Sequence, residues 1–142
     1  MSDEDNKLVL QRFWAEIFNA RDLDLIDELF AEGWTYHGMQ ELHGGHELKH
    51  FLNVFFTAFP DLKANIEDLI SEKDKVVSRA SCTGTHKGEL MGFAPTGKEI
   101  IAEVICISRL ENGKIIEDWE LVDMFGIFVQ IGAIPMGAGA QG

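Results

Sequence analysis

The spacing of hydrophobic residues changes once along this chain, near Lys63. Before that point apolar side chains recur every three or four residues. They run through Leu10, Phe13, Trp14, Ile17 and Phe18, then Leu23, Ile26, Leu29 and Phe30, then Leu48, Phe51, Leu52, Phe55, Phe56 and Phe59. Such spacing puts one apolar face on each of three helices. After Lys63 apolar and polar residues alternate, the pattern of half-buried strands. The first helix and a second, ended by Gly33, occupy the first thirty residues or so; Trp34 to His37 reads as a short extended piece before a loop from Gly38 to Gly45. The third helix spans about His46 to Phe59 and stops before Pro60, because the residue ahead of a proline leaves the α region. Strands are predicted at Lys63 to Ser71, Lys75 to His86, Lys98 to Leu110 and Lys114 to Asp123, with turn signals between them. A short apolar segment, Met124 to Ile131, follows. Helices first and a meander afterwards make an α+β fold: three N-terminal helices packed on a curved, mostly antiparallel sheet, together a cone enclosing a pocket.

A chain of 142 residues fits one domain, here 1–142, with a core over about 8–132 and a glycine-rich, mobile tail at 133–142. Its 46% apolar content, with ten Phe and three Trp, is enough to fill a core. The net charge of −12 repels phosphate, which argues against nucleic acid or an anionic membrane as partner. No apolar run approaches the roughly 20 residues that cross a bilayer, and Met1 to Lys7 is polar and acidic, so a soluble cytoplasmic protein is expected. Cys82 and Cys106 sit in apolar or alternating stretches and read as buried free thiols.

His46-Glu47-Leu48-Lys49-His50 matches the zinc-protease spacing H-E-x-x-H. On a helix, however, both histidines fall opposite the stripe centred on Leu48, Leu52, Phe55 and Phe59, where no cleft walls a metal. The continuation that would supply a third ligand is missing, since Asn53 and Phe56 stand at those positions. No metal and no cofactor are expected.

The segment Glu117 to Asp123 carries the most chemistry. Simple alternation puts Ile115, Trp119, Leu121 and Asp123 on one face, and Asp118 and Glu120 on the other. Asp123 among Trp and Leu would lose hydration, and its raised pKa would suit a general base near neutral pH. The same aspartate could equally cap the segment that starts at Met124. Its cross-strand neighbour depends on the Asn112-Gly113 hairpin. A two-residue loop sets Ala102 opposite Asp123; a three-residue loop with a glycine bulge sets Ile101 there, Glu103 on the diagonal and Ile105 beside Trp119. The three-residue form is followed here. The expected pocket therefore holds Trp14, His37, Phe55, Glu103, Ile105, Trp119 and Leu121 around Asp123. His37 and His86 are further candidates for proton chemistry. The opposite face of the last two strands, with Ile116 and Val122 among charges, is expected to be covered in a homodimer.

The run Phe59-Pro60-Asp61-Leu62, Gly84-Thr85-His86-x-Gly88, Pro95-Thr96-Gly97-Lys98, Gly113-Lys114-Ile115, Glu117-x-Trp119 and Asp123 followed by Gly126 resembles the SnoaL-like polyketide cyclases, or ester cyclases, over roughly Leu8 to Gly132. The resemblance implies the cone-shaped nuclear transport factor 2-like fold. It also implies a cofactor-free intramolecular aldol condensation on a small hydrophobic carbonyl compound, with Asp123 as acid/base. In those cyclases a histidine on the preceding long strand assists; Lys98 to Leu110 contains none, and Arg109 stands nearby. Limonene epoxide hydrolases, ketosteroid isomerases and scytalone dehydratases resemble the chain more distantly. Another reaction on this fold, or a noncatalytic small-molecule-binding domain, are the alternatives.

Overall fold

The computed structural model describes residues 2–135. Helix α1 (Asp3–Arg12) opens on a reciprocal cap: the Ser2 hydroxyl accepts from the Asp5 N–H, and the Asp5 carboxylate accepts from the Ser2 N–H. The helix then widens into a π-helix over Phe13–Asn19, where the Ala20 N–H reaches back to the Ala15 carbonyl. A 3-10 turn (Leu23–Leu25) leads into the one-turn helix α2 (Ile26–Leu29).

Strand β1 (Phe30–His37) begins directly after α2. Gly33 therefore lies within a strand and does not end the second helix. The extended piece starts four residues earlier than the sequence suggested, and a register shift between Phe30 and Thr35 accommodates the glycine. Within the expected loop, Glu41–His43 forms a short edge strand β2 on β1. Helix α3 (Gly44–Ala58) follows, and its apolar stripe faces the sheet while His46 and His50 are exposed.

Strands β3 (Lys63–Glu72), β4 (Lys75–Thr85), β5 (Glu99–Glu111) and β6 (Lys114–Val122) form the meander, and helix α4 (Met124–Gln130) closes it. The sheet runs β2-β1-β6-β5-β4-β3, antiparallel except where β1 pairs with β6. The helices lie on one face, so the architecture is the α+β cone expected. Two side-chain amides finish the sheet where strands lack neighbours. Asn19 both donates to and accepts from the Ala64 backbone, and Gln130 does the same at Ile101. No helix of the described residues is long and apolar enough to cross a membrane. The expected tail lies mostly outside the described residues, at 136–142.

The β5–β6 hairpin decides the site. Glu111 pairs with Lys114, so the loop is the two-residue Asn112-Gly113, both at positive φ (53° and 79°) as a type I′ turn requires. One extra residue then enters β6: Leu110 pairs with Ile115, but Arg109 pairs with Glu117. That β-bulge reverses the facing of every later residue in the strand. Ile115 points inward, as expected. Beyond it Asp118, Glu120 and Val122 turn inward, while Trp119 and Leu121 turn out. Neither expected register holds: Ile107 stands beside Trp119, Ile105 beside Leu121, and the Asp123 N–H donates to the Glu103 carbonyl at 3.2 Å.

Candidate functional site

Inside the cone is a cavity of about 90 Å³. Its walls are the helix stripes (Trp14, Phe18, Phe51, Phe55), the aromatic residues of β1 (Trp34, Tyr36) and the inward residues of β5 and β6. The aromatic wall is continuous. Phe30, Trp34, Tyr36, Phe51 and Phe55 follow one another with ring centroids 5.3 to 5.9 Å apart.

Two carboxylates stand in this wall, two residues apart on β6 and so on the same face. Asp118 is buried and accepts three donors: the Trp34 indole Nε1 at 2.8 Å, the Ser108 hydroxyl and the Cys106 thiol at 3.4 Å. All three contacts suit the carboxylate form, which accepts at both oxygens. Burial nevertheless raises its pKa, with the three hydrogen bonds opposing.

Glu120 differs. One oxygen accepts from the Tyr36 hydroxyl at 2.5 Å; the other has no hydrogen-bond partner among the described residues and keeps accessible surface where the residue lines the cavity. Burial pushes its pKa up to about 7; the charge of Asp118 adds to the rise and the Tyr36 hydroxyl opposes it. Burial and the neighbouring Glu120 carboxylate together drive the Tyr36 phenol far above its usual range, so it stays protonated and donates. The result is a carboxylate that titrates near neutrality, with one oxygen free, in an apolar chamber. These are the properties of a general base. Both cysteines are buried free thiols in the cavity wall, as expected; burial pushes Cys82 up to about 12 and Cys106 well above its ordinary value, so neither is a nucleophile at neutral pH.

Of the residues the sequence singled out, Trp14 and Phe55 line the cavity. The others do not. Glu103, Ile105, Trp119 and Leu121 lie on the outer face of the sheet because of the bulge and the alternation of β5, whose even-numbered residues from Ile100 to Leu110 are the buried ones. Asp123 is exposed and caps α4: its Oδ1 accepts from the Gly126 N–H at 2.9 Å. A Cβ at Gly126 would come within 2.3 Å of the Asp123 carboxylate, so the Asp-x-x-Gly spacing is a capping requirement. His37 sits at the sheet's outer surface, its Nδ1 2.7 Å from Glu41 and its Nε2 2.8 Å from Glu117, with the Trp119 ring 5.7 Å away. Arg109 also points outward and pairs with Glu117 at 2.9 Å. His86 is buried outside the cavity wall; its Nδ1 accepts from the Thr96 N–H at 3.2 Å and so orders the loop between β4 and β5.

Other shared motifs also prove to be junction chemistry. Asp61 accepts from both the N–H and the hydroxyl of Thr85, tying the end of α3 to β4. Gly88 lies so close to the Thr57 carbonyl that any side chain would collide with it. Sequence reasoning passed over Asp118, Glu120, Tyr36, Trp34 and Ser108. Their one visible signal was the alternation that set Asp118 and Glu120 on a common face. Among the described residues no group of three or more His, Cys, Asp or Glu is placed to hold a metal ion.

A sequence model of the family described as SnoaL-like polyketide cyclase matches residues 8–131. Similar solved structures include a candidate SnoaL-like polyketide cyclase from Jannaschia sp. CCS1, 26% identical, covering 94% of this chain and 95% of that one at a TM-score of 0.86. A candidate polyketide cyclase from Bacillus cereus ATCC 10987 is 30% identical over 95% of this chain and 87% of that one, with a TM-score of 0.81. AclR, a candidate hydroxylase from Streptomyces galilaeus, is 26% identical over 95% and 85% of the two chains, with a TM-score of 0.86. Among curated proteins, none matches.

Proposed function

The chain belongs to the SnoaL-like polyketide cyclase family, with its nuclear transport factor 2-like fold, and from that premise we propose that it is a cyclase-type enzyme whose general base is Glu120. One observation carries this reading: a carboxylate with a pKa of about 7 presents an unpaired oxygen to an aromatic-walled cavity. In the proposed reaction Glu120 takes an α-proton from a bound ketone, and the C–H electrons pass to the carbonyl oxygen as an enolate. The enolate carbon attacks a second carbonyl of the same molecule, and the resulting alkoxide recovers the proton from Glu120. Base and acid are then one residue, and no cofactor enters the cycle. Tyr36 holds the carboxylate in place, and the ionised Asp118 keeps its basicity high.

The substrate is a small hydrophobic carbonyl compound, since the cavity walls are almost wholly apolar. The protein is also proposed to be a homodimer. The outer face of the sheet presents Ile105, Ile107, Trp119 and Leu121 together, with Leu121 78% exposed, an apolar surface of the kind a second copy covers. It replaces the face expected from Ile116 and Val122, because the bulge turns Val122 into the cavity.

Exchange of α-hydrogens for deuterium in cyclohexanone tests the catalytic reading without knowledge of the natural substrate. Wild-type protein should accelerate exchange and Glu120→Gln should not. Binding without exchange in either protein would identify a noncatalytic binding domain.

A further inference from the structure

We propose that Gly38 is a positioning residue for Glu120: its lack of a side chain leaves the space that the Tyr36 phenol needs to reach across to the carboxylate and hold it. The inference rests on the reading of Glu120 as the working carboxylate and adds a residue that acts on it through Tyr36.

The register of the parallel pair sets the geometry. Tyr36 pairs with Asp118 and His37 with Trp119, so the next residues along the two segments, Gly38 and Glu120, stand at one level. Tyr36 nevertheless donates to Glu120, two residues beyond its own partner, and leaves Asp118 to Trp34. The phenol therefore leans along the strand, over the place that a side chain at position 38 would take. A Cβ on Gly38 would lie 2.5 Å from the Tyr36 hydroxyl oxygen, 2.6 Å from Cζ and 2.7 Å from Cε1. Carbon atoms in contact sit about 3.5–4.0 Å apart, so the whole edge of the ring would have to move.

Both sides of this contact are held. The Tyr36 ring is buried and packs against Trp34 and Phe51, with centroids 5.9 and 5.4 Å away. Gly38 opens the three-residue loop between β1 and β2, whose ends are pinned: His37 pairs with Glu41 in the ladder, and its ring nitrogens bond Glu41 and Glu117. A methyl group at position 38 is thus expected to break the contact between Tyr36 and Glu120, and with it the hydrogen bond that favours the ionised carboxylate. Gly33, on the same strand, differs, since a Cβ there meets nothing within 4 Å. The other titratable groups around Glu120 stay in place: Asp118 two residues away on β6, Cys106 paired with it on β5, and Cys82 on β4. The helices bring no titratable side chain to the cavity wall.

The test follows the Glu120 carboxyl carbon by NMR across pH, assigned by its loss in Glu120→Gln. Wild type is compared with Gly38→Ala, Tyr36→Phe, the double variant and, as control, Gly33→Ala. Wild type should titrate at about 7. Gly38→Ala and Tyr36→Phe should each raise the midpoint by about one pH unit, the worth of one hydrogen bond to a charged group, and the double variant should raise it no further. Gly33→Ala should leave it in place. An unmoved or lowered midpoint in Gly38→Ala overturns the proposal, as does an additive rise in the double variant or an equal rise in Gly33→Ala. If Gly38→Ala does not fold, wild type and Tyr36→Phe decide. Overhauser contacts between the Gly38 α-protons and the Tyr36 ring in wild type, together with the rise in Tyr36→Phe, support the assignment, and the absence of either overturns it. Deuterium exchange into cyclohexanone, followed in the same samples, keeps the two readings apart. A raised midpoint in Gly38→Ala with no exchange by wild type supports Gly38 as positioning residue and removes the cyclase reading, whereas exchange without the rise does the reverse.

Discussion

Tyr36 and Glu120, 84 residues apart in sequence, meet at 2.5 Å inside the cone, the phenol donating to one carboxylate oxygen and leaving the other unpaired. The contact joins β1 to β6, the one parallel pair of the sheet among the described residues. It fixes the side chain on which the proposed chemistry depends, in surroundings that hold its pKa near neutrality.

Replacing Glu120 with Gln should preserve the fold and the Tyr36 contact and lower turnover by about 10² to 10⁴, the usual worth of a general base. In wild type the rate should rise with pH and level off above about 7, because the ionised form is the base. Stability should move the opposite way. A carboxyl whose pKa is higher folded than unfolded stabilises the fold below its unfolded value, and that contribution is lost as pH rises through about 7. Glu120→Gln should therefore melt higher than wild type at pH 8 and match it at pH 4. Thermal melts at the two pH values check the sign.

Asp118→Ala should be among the costliest single changes in the protein. It strands the Trp34 indole, the Ser108 hydroxyl and the Cys106 thiol around an empty site, and a loss of about 3–5 kcal/mol is expected from denaturant unfolding. Ser108→Ala, which removes one of three donors and leaves the carboxylate partnered, should cost less than half as much.

For Asp123→Asn the expected outcome is nearly unchanged turnover and a stability loss of about 1 kcal/mol or less, since Asn also caps helices. A fall in turnover of about a hundredfold would return the acid/base role to this residue, as the family resemblance implies. Turnover and melting temperature on one preparation decide between them.

Leu121→Asp places a charge at the centre of the exposed apolar face without touching the cavity. Light scattering should show wild type as a dimer and the variant as a monomer, with the pH profile of any activity unchanged. A wild-type monomer at high micromolar concentration would remove the dimer.

The bulge in β6 explains which parts of the site could be read from the chain. The amphipathic stripe of α3 and the position of the Asn112-Gly113 turn are local patterns, each fixed by residues a few positions apart, and appear where the sequence put them, whereas the loop is the two-residue form and β5 buries its even-numbered residues and not Glu103 and Ile105. Trp14 and Phe55 belong to such stripes, and so line the cavity. An extra residue in a strand has no comparable local signature. Ile115-Ile116 reads as two ordinary strand residues, and the shift is stabilised by what it brings together: Asp118 with Trp34 and Ser108, Glu120 with Tyr36, and Trp119 with His37 at the surface.

The sequence by itself determined the α+β order of elements, the helix faces and the position of the hairpin turn, because propensity and periodicity are short-range, and it marked the acidic segment from Glu117 to Asp123 as a candidate site. Which carboxylates of that segment face the cavity was decided only by the tertiary structure. Side chains alternate with a period of two, so one inserted residue exchanges the two faces of a strand. That choice depends on cross-strand partners contributed from more than eighty residues away.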